Sequence, residues 1–126
     1  MLKKKIFIRV CVLIVLSMCL AACGSGSDNE ANKQTETQSA QGSELTITAT
    51  NFQFNSKTYK VPANKEITIH FESKEGNHGI KIEGTDVDIK GKGSAKVTFK
   101  PGTYAISCNI FCGSGHAKMQ SKIVAE

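Results

Sequence analysis

The sequence of 126 residues has no tryptophan, two prolines, and only two tyrosines and six phenylalanines as aromatics. No stretch repeats its apolar residues at helical spacing, so the pattern does not read as a helix bundle. No internal repeat is present, which sets aside solenoids and propellers. A Ser/His/Asp set, a phosphate-binding glycine loop and a zinc-protease motif are all missing. With them go the common hydrolase and nucleotide-dependent classes. The longest apolar run, Val10 to Ala22, is 13 residues, short of the roughly 20 that a membrane-spanning helix needs. The basic excess is also partly a leader effect. Of 16 basic residues four, Lys3, Lys4, Lys5 and Arg9, precede that run with none of the 11 acidic ones, which leaves the remainder near +1. Such a balance offers nucleic acid no footprint.

What is there begins with a basic segment followed by an apolar one, the layout of a secretory signal over residues 1–22. Leu20-Ala21-Ala22-Cys23 resembles the lipobox of bacterial lipoproteins. The resemblance implies cleavage before Cys23 and a diacylglycerol thioether on its sulfur; an uncleaved N-terminal anchor is the alternative. Either way the remainder is expected outside the cytoplasmic membrane and tied to it. Cys11 and Cys19 then leave with the leader and Cys23 is capped, so Cys108 and Cys112 are the remaining thiols. Residues 24–43 carry no aliphatic side chain larger than alanine and no aromatic. Such a segment buries too little apolar surface to offset its ordering entropy. Residues 23–43 therefore read as a lipidated cysteine and flexible tether, about 25 Å long on average.

From Glu44 to Glu126 the pattern has period two nearly throughout. Leu45, Ile47 and Ala49 alternate with threonines; Ile67, Ile69 and Phe71 alternate with Glu66, Thr68, His70 and Glu72; Val97 and Phe99 share a face; Ser121 to Ala125 supplies a last strand. Turn residues separate these runs at Pro62-Ala63-Asn64, Glu75-Gly76-Asn77, Gly91-Lys92-Gly93 and Pro101-Gly102. The expectation is one all-β domain over residues 44–126, a sandwich or barrel of about seven or eight strands. His70 falls on a polar face and reads as a surface residue. Asp86 and Asp88 read as exposed carboxylates rather than an acid–base pair. Lys90, Lys92, Lys96 and Lys100 read as solvated positions guarding a strand edge, with a docking face for an acidic partner as the alternative.

One loop carries the chemistry. Residues 108–119, CNIFCGSGHAKM, hold Cys108, Cys112, His116 and Met119. His78 follows the turn at Gly76-Asn77 and opens a strand, and loops at one end of a sandwich bring such distant residues together. Three readings compete. A disulfide across three intervening residues gains little loop entropy and leaves His116 and Met119 without a role. Two thiols, an imidazole and a thioether are donors that select copper or zinc over calcium or magnesium, and the thioether points to copper. A mononuclear blue site would use His78, Cys112, His116 and Met119, with Cys108 as a spectator. Two coppers would use both thiolates as bridges, and this arrangement accounts for every donor.

The spacing Cys-x-x-x-Cys-x-x-x-His-x-x-Met, with a histidine opening an upstream strand, resembles the dinuclear copper-A domain of cytochrome c oxidase subunit II. LTITATNFQF and KVPANKEITIHF are similar to the early strands of the cupredoxin fold. The resemblance covers residues 44–126 and implies a cupredoxin-like Greek-key sandwich. It implies His78, Cys108, Cys112, His116 and Met119 as copper ligands, with the backbone carbonyl of Ile110 as the remaining weak donor. Where the family typically has a glutamate that reaches a second metal at the catalytic subunit, this chain has Ile110, which cannot. The oxidase subunit also uses aromatics to receive electrons, and tryptophan is absent here. The expected activity is one-electron transfer, with His116 at the exposed edge and Ile106, Ile110 and Phe111 as a shield. A c-type cytochrome or respiratory complex would be the redox partner. No substrate is transformed by such a site, so the domain is not expected to be an enzyme on its own. The rival reading is a copper chaperone or store that hands metal to an exported cuproenzyme.

Overall fold

The computed structural model describes residues 34–126; the expected signal segment and Cys23 lie outside them. Ten strands make two sheets, and no α-helix occurs among the described residues. In chain order the strands are β1 (Thr35–Ser39), β2 (Glu44–Thr50), β3 (Gln53–Phe54), β4 (Ser56–Val61), β5 (Glu66–Ser73), β6 (Gly79–Ile82), β7 (Asp88–Lys90), β8 (Lys92–Thr98), β9 (Gly102–Ser107) and β10 (Gln120–Ala125). The larger sheet runs β1-β4-β10-β9-β6-β7 and the smaller β3-β2-β5-β8.

Alternation along the strands builds the core, because successive side chains leave a strand on opposite faces. Parallel pairing of β2 with β5 sets Leu45 beside Ile69 and Ile47 beside Phe71. Antiparallel pairing of β5 with β8 continues the layer with Ile67 beside Val97. The opposing sheet contributes Tyr59, Ile80, Ile82, Ile106 and Ile123, all at most 1% exposed. Each large apolar side chain sealed in this way contributes about 1.5–3 kcal/mol over its exposed state. Tyr59 keeps its phenol satisfied inside the core: its hydroxyl donates to Asn55 Oδ1 (2.7 Å) and accepts from the Ser56 N–H (3.1 Å). Burial raises the pKa of this phenol above its ordinary value.

Ten strands exceed the expected seven or eight, and three of them are short or polar. β3 has two residues and β7 has three, too short for a period to register. β1 lies in the polar stretch assigned above to the tether, yet pairs parallel with β4 from Thr35–Ser56 to Ser39–Lys60. Its backbone ladder, a Gln38–Asn55 side-chain hydrogen bond of 2.7 Å and the Glu36–Lys57 ion pair hold it. A sheet edge needs backbone partners rather than apolar side chains. The boundary at Gly91 is tighter than expected: one residue with φ of +70° separates β7 in one sheet from β8 in the other. Lys92 and Lys96, on edge strand β8, pair with Glu72 and Glu66, and His70 stays half-exposed, 3.6 Å from Glu44.

Candidate metal centre

Two adjacent antiparallel strands bring the site together. β6 and β9 pair with Lys81 opposite Ser107, so the start of β6 lies beside the end of β9. His78 immediately precedes β6 and Cys108 immediately follows β9. Residues 30 apart in sequence thereby face one another. Candidate ligand atoms of His78, Cys108 and Cys112 all lie within 4.8 Å of each other. The two sulfurs are 3.8 Å apart, and the thiols are free. His116 joins through Cys112, its Nδ1 3.6 Å from that Sγ. The Cys108 thiol donates to the Ile110 carbonyl at 3.1 Å, so this backbone oxygen faces the cluster. Met119 closes the loop, 1% exposed, after a single 3-10 turn at His116–Lys118.

The backbone around His78 is held firmly. Its N–H donates to Ser73 Oγ (3.2 Å), which itself donates to the Gly76 carbonyl (2.9 Å). Its carbonyl accepts from the Gly91 N–H at 2.9 Å. Gly76, with φ of +80°, passes so close that a Cβ there would sit 2.8 Å from His78 Nε2. The ring itself is different: 1% of the residue is exposed, and neither nitrogen has a hydrogen-bond partner. Burial pushes its pKa below the ordinary value, while the nearby Glu75 backbone acts in the opposite direction without satisfying either nitrogen. Leaving a buried polar group unpaired costs about 1–3 kcal/mol. A neutral imidazole with free lone-pair capacity beside two thiols is a donor set suited to a soft or borderline metal. Burial, then the neighbouring Cys108 thiol, push the Cys112 thiol above its ordinary value. Both effects favour the thiol form of Cys112 over its thiolate, and a metal taking up that sulfur would release its proton.

The shield is not the expected one. Ile106 is buried and Ile110 half-buried, but Phe111 is 82% exposed. Its ring leans against His116 with centroids 5.6 Å apart, on the outer side of the loop. The covering ring is Phe52, in the β2–β3 turn at φ of +56°. It meets His78 edge-on at 6.2 Å and presses on the loop's glycines. A Cβ on Gly115 would fall 2.2 Å from Phe52 Cγ, and one on Gly113 3.1 Å from the ring. Sequence reasoning missed Phe52. The signal available was the Gly-Ser-Gly of the loop, small residues that leave room for a ring. It also missed Asn109: Asp88 is exposed as expected, but it accepts a 2.6 Å hydrogen bond from that side chain.

Two packed β-sheets with a His/Cys/Cys cluster at one end define the class of small β-sandwich domains with a metal-ligand loop. The chain belongs to the family of cupredoxin-like domains, whose model matches residues 11–125. It is 36% identical over 80 residues to cytochrome c oxidase subunit 2 of Thermus thermophilus, a match spanning 60% of this chain and 59% of that one. The chain thus spans about three fifths of the length of that curated relative. Among solved structures, a chain of a heme-copper terminal oxidase dimer superposes with a TM-score of 0.62 at 24% identity, over 99% of this chain and 95% of that one. The periplasmic domain of cytochrome oxidase subunit II from Bradyrhizobium japonicum gives a TM-score of 0.51 at 24% identity, over 53% and 52% of the two chains. At these identities the structures establish the shared fold.

Proposed function

We propose that this protein is a membrane-tethered, extracytoplasmic electron carrier with a dinuclear copper centre. The observation that carries the reading is the pairing of two free thiols 3.8 Å apart with a buried imidazole lacking any hydrogen bond. Cys108 and Cys112 would be shared ligands, His78 and His116 the terminal ones, and Met119 and the Ile110 carbonyl weak donors. Bound copper would supply a one-electron couple. The protein's part is to hold those donors on a rigid frame, so that little moves when charge changes. Strands β6 and β9, the Ser73 bonds to the β5–β6 turn and the Phe52 cover all act in that sense. His116, half-buried under an exposed Phe111 ring, is the natural exit for an electron toward a partner such as a c-type cytochrome or respiratory complex. The similarity to oxidase subunit 2 supports the reading.

A mononuclear blue site is disfavoured because both sulfurs lie within 4.8 Å of His78 donor atoms, with no distance separating a ligand from a spectator. Copper delivery is the second reading, favoured by the half-buried Cys112 and His116, which an acceptor can approach.

The test is copper content with electron paramagnetic resonance on the chain exported by a bacterial host and purified in detergent. Two coppers per chain sharing one delocalised spin are expected, and Cys108→Ser should lose one copper or both. One copper with a single-nucleus spectrum in both forms would replace the proposal with a blue site. Spectroscopically silent Cu(I) that passes readily to a competing apo-protein would replace it with delivery.

A further inference from the structure

We propose that Asn109 is a positioning residue for this centre and that Asp88 is its anchor: the Asn109 carboxamide fastens the loop carrying Cys108 to the β6–β7 hairpin beside His78. The inference rests on the copper reading above and deepens it. Its first ground is a gap in the backbone ladder. β6 and β9 share two residue pairs, Lys81–Ser107 and Ile82–Ile106, so the ladder stops three residues short of His78. Beyond that point the two ligand-bearing segments need another tie.

Asn109 supplies it. Its Nδ2 donates to Asp88 Oδ1 at 2.6 Å, to the Ile80 carbonyl at 3.2 Å and, more weakly, to the Ile89 carbonyl at 3.4 Å. Three acceptors around one nitrogen fix which way the amide faces, since a carbonyl oxygen there would meet only lone pairs. The shortest of the three runs to a carboxylate, the stronger type of hydrogen bond. Asn109 Oδ1 is then turned inward, buried and without a partner. It lies against Gly79, the residue after His78, where a Cβ would fall 1.8 Å from Oδ1 and 2.8 Å from the Ile89 carbonyl. The side chain after the first cysteine therefore occupies the space of a missing side chain after the histidine. An orphaned carbonyl oxygen has a cost, set against three hydrogen bonds from Nδ2 to β6 and β7. Groups that orient ligands without touching the metal often carry about 10–100-fold of its affinity.

The experiment compares wild type, Asn109→Ala, Asp88→Ala and Asp88→Asn, each exported, purified in detergent and titrated with copper against a chelator. Asn109→Ala is expected to weaken copper binding about 10–100-fold and to alter the hyperfine pattern and sulfur-to-copper absorption. Asp88→Ala should move both readouts the same way by less. Asp88→Asn, which retains an acceptor oxygen, should return them toward wild type. Asp88 is exposed on β7, so its variants decide the matter even where Asn109→Ala does not fold. Wild-type affinity and spectrum in Asp88→Ala and in any folded Asn109→Ala would overturn the positioning role while leaving the copper reading intact. A wild-type chain that takes up no copper would overturn both.

Discussion

His78 sets the demands of folding and of binding against each other within one side chain. A fully buried imidazole with neither nitrogen paired lowers the stability of the metal-free protein, because the desolvation of the ring is not repaid by a hydrogen bond. Replacing it with an apolar residue of similar size removes that cost. His78→Leu is therefore expected to leave the metal-free protein as stable as wild type, or more stable by about 1–3 kcal/mol, while losing copper. Urea unfolding of the metal-free chain and copper content of the loaded chain give the two halves. A marked loss of metal-free stability would mean that His78 serves packing rather than binding. The side chains that the fold gathers were candidates on sequence alone: Cys108, Cys112 and His116 from their spacing, and His78 from the turn before it. The residues that hold those donors were not. Asn109 looks like any loop asparagine and Asp88 like any exposed carboxylate until strand register sets them 2.6 Å apart.

Among the elements, the period-two runs were legible because each buries one face. β2, β5 and β10 fall within a residue or two of the alternating stretches read from sequence. Least legible were the elements too polar or too short for an alternation to register: polar β1, two-residue β3 and three-residue β7. The β2–β3 turn matters most to the site, because it swings Phe52 over His78 and the ligand loop. That contact makes an element-level prediction. Gly115→Ala drives a Cβ into the Phe52 ring, and overpacking of this kind typically costs about 1–3 kcal/mol. Phe52→Ala alone loses its packing but opens the same space. Combined, the two changes should cost less than the sum of their separate effects, a coupling of about 0.5–3 kcal/mol in a thermodynamic cycle. Additive costs would mean that the loop carries Gly115 for another reason.

For the whole molecule, the question is what would keep the domain beside a membrane, as the proposed function requires. No helix among the described residues is long and apolar enough to cross one, and the described sheet includes β1 from Thr35, upstream of Glu44, which pairs with β4. The proposed tether would then be shorter than residues 23–43, and the proposed anchor would precede it in the chain. Two chemistries can supply it. A diacylglycerol group on Cys23 brings two acyl chains, each buried CH₂ contributing about 0.8 kcal/mol, which suffices for stable attachment where one chain does not. The 13-residue run Val10–Ala22, short of the roughly 20 needed to span, would be a weaker anchor if left uncleaved. Cys23→Ser separates them. If lipid is the anchor, wild type stays with membranes through a high-salt wash and partitions into detergent, gaining the mass of a diacylglycerol group. The variant then leaves the membrane fraction, or accumulates as precursor of higher mass than the processed chain. If the apolar run is the anchor, both proteins stay with the membrane at the same unprocessed length. In that second case Cys11, Cys19 and Cys23 would all remain as further thiols, and copper content would have to be measured with those sulfurs removed.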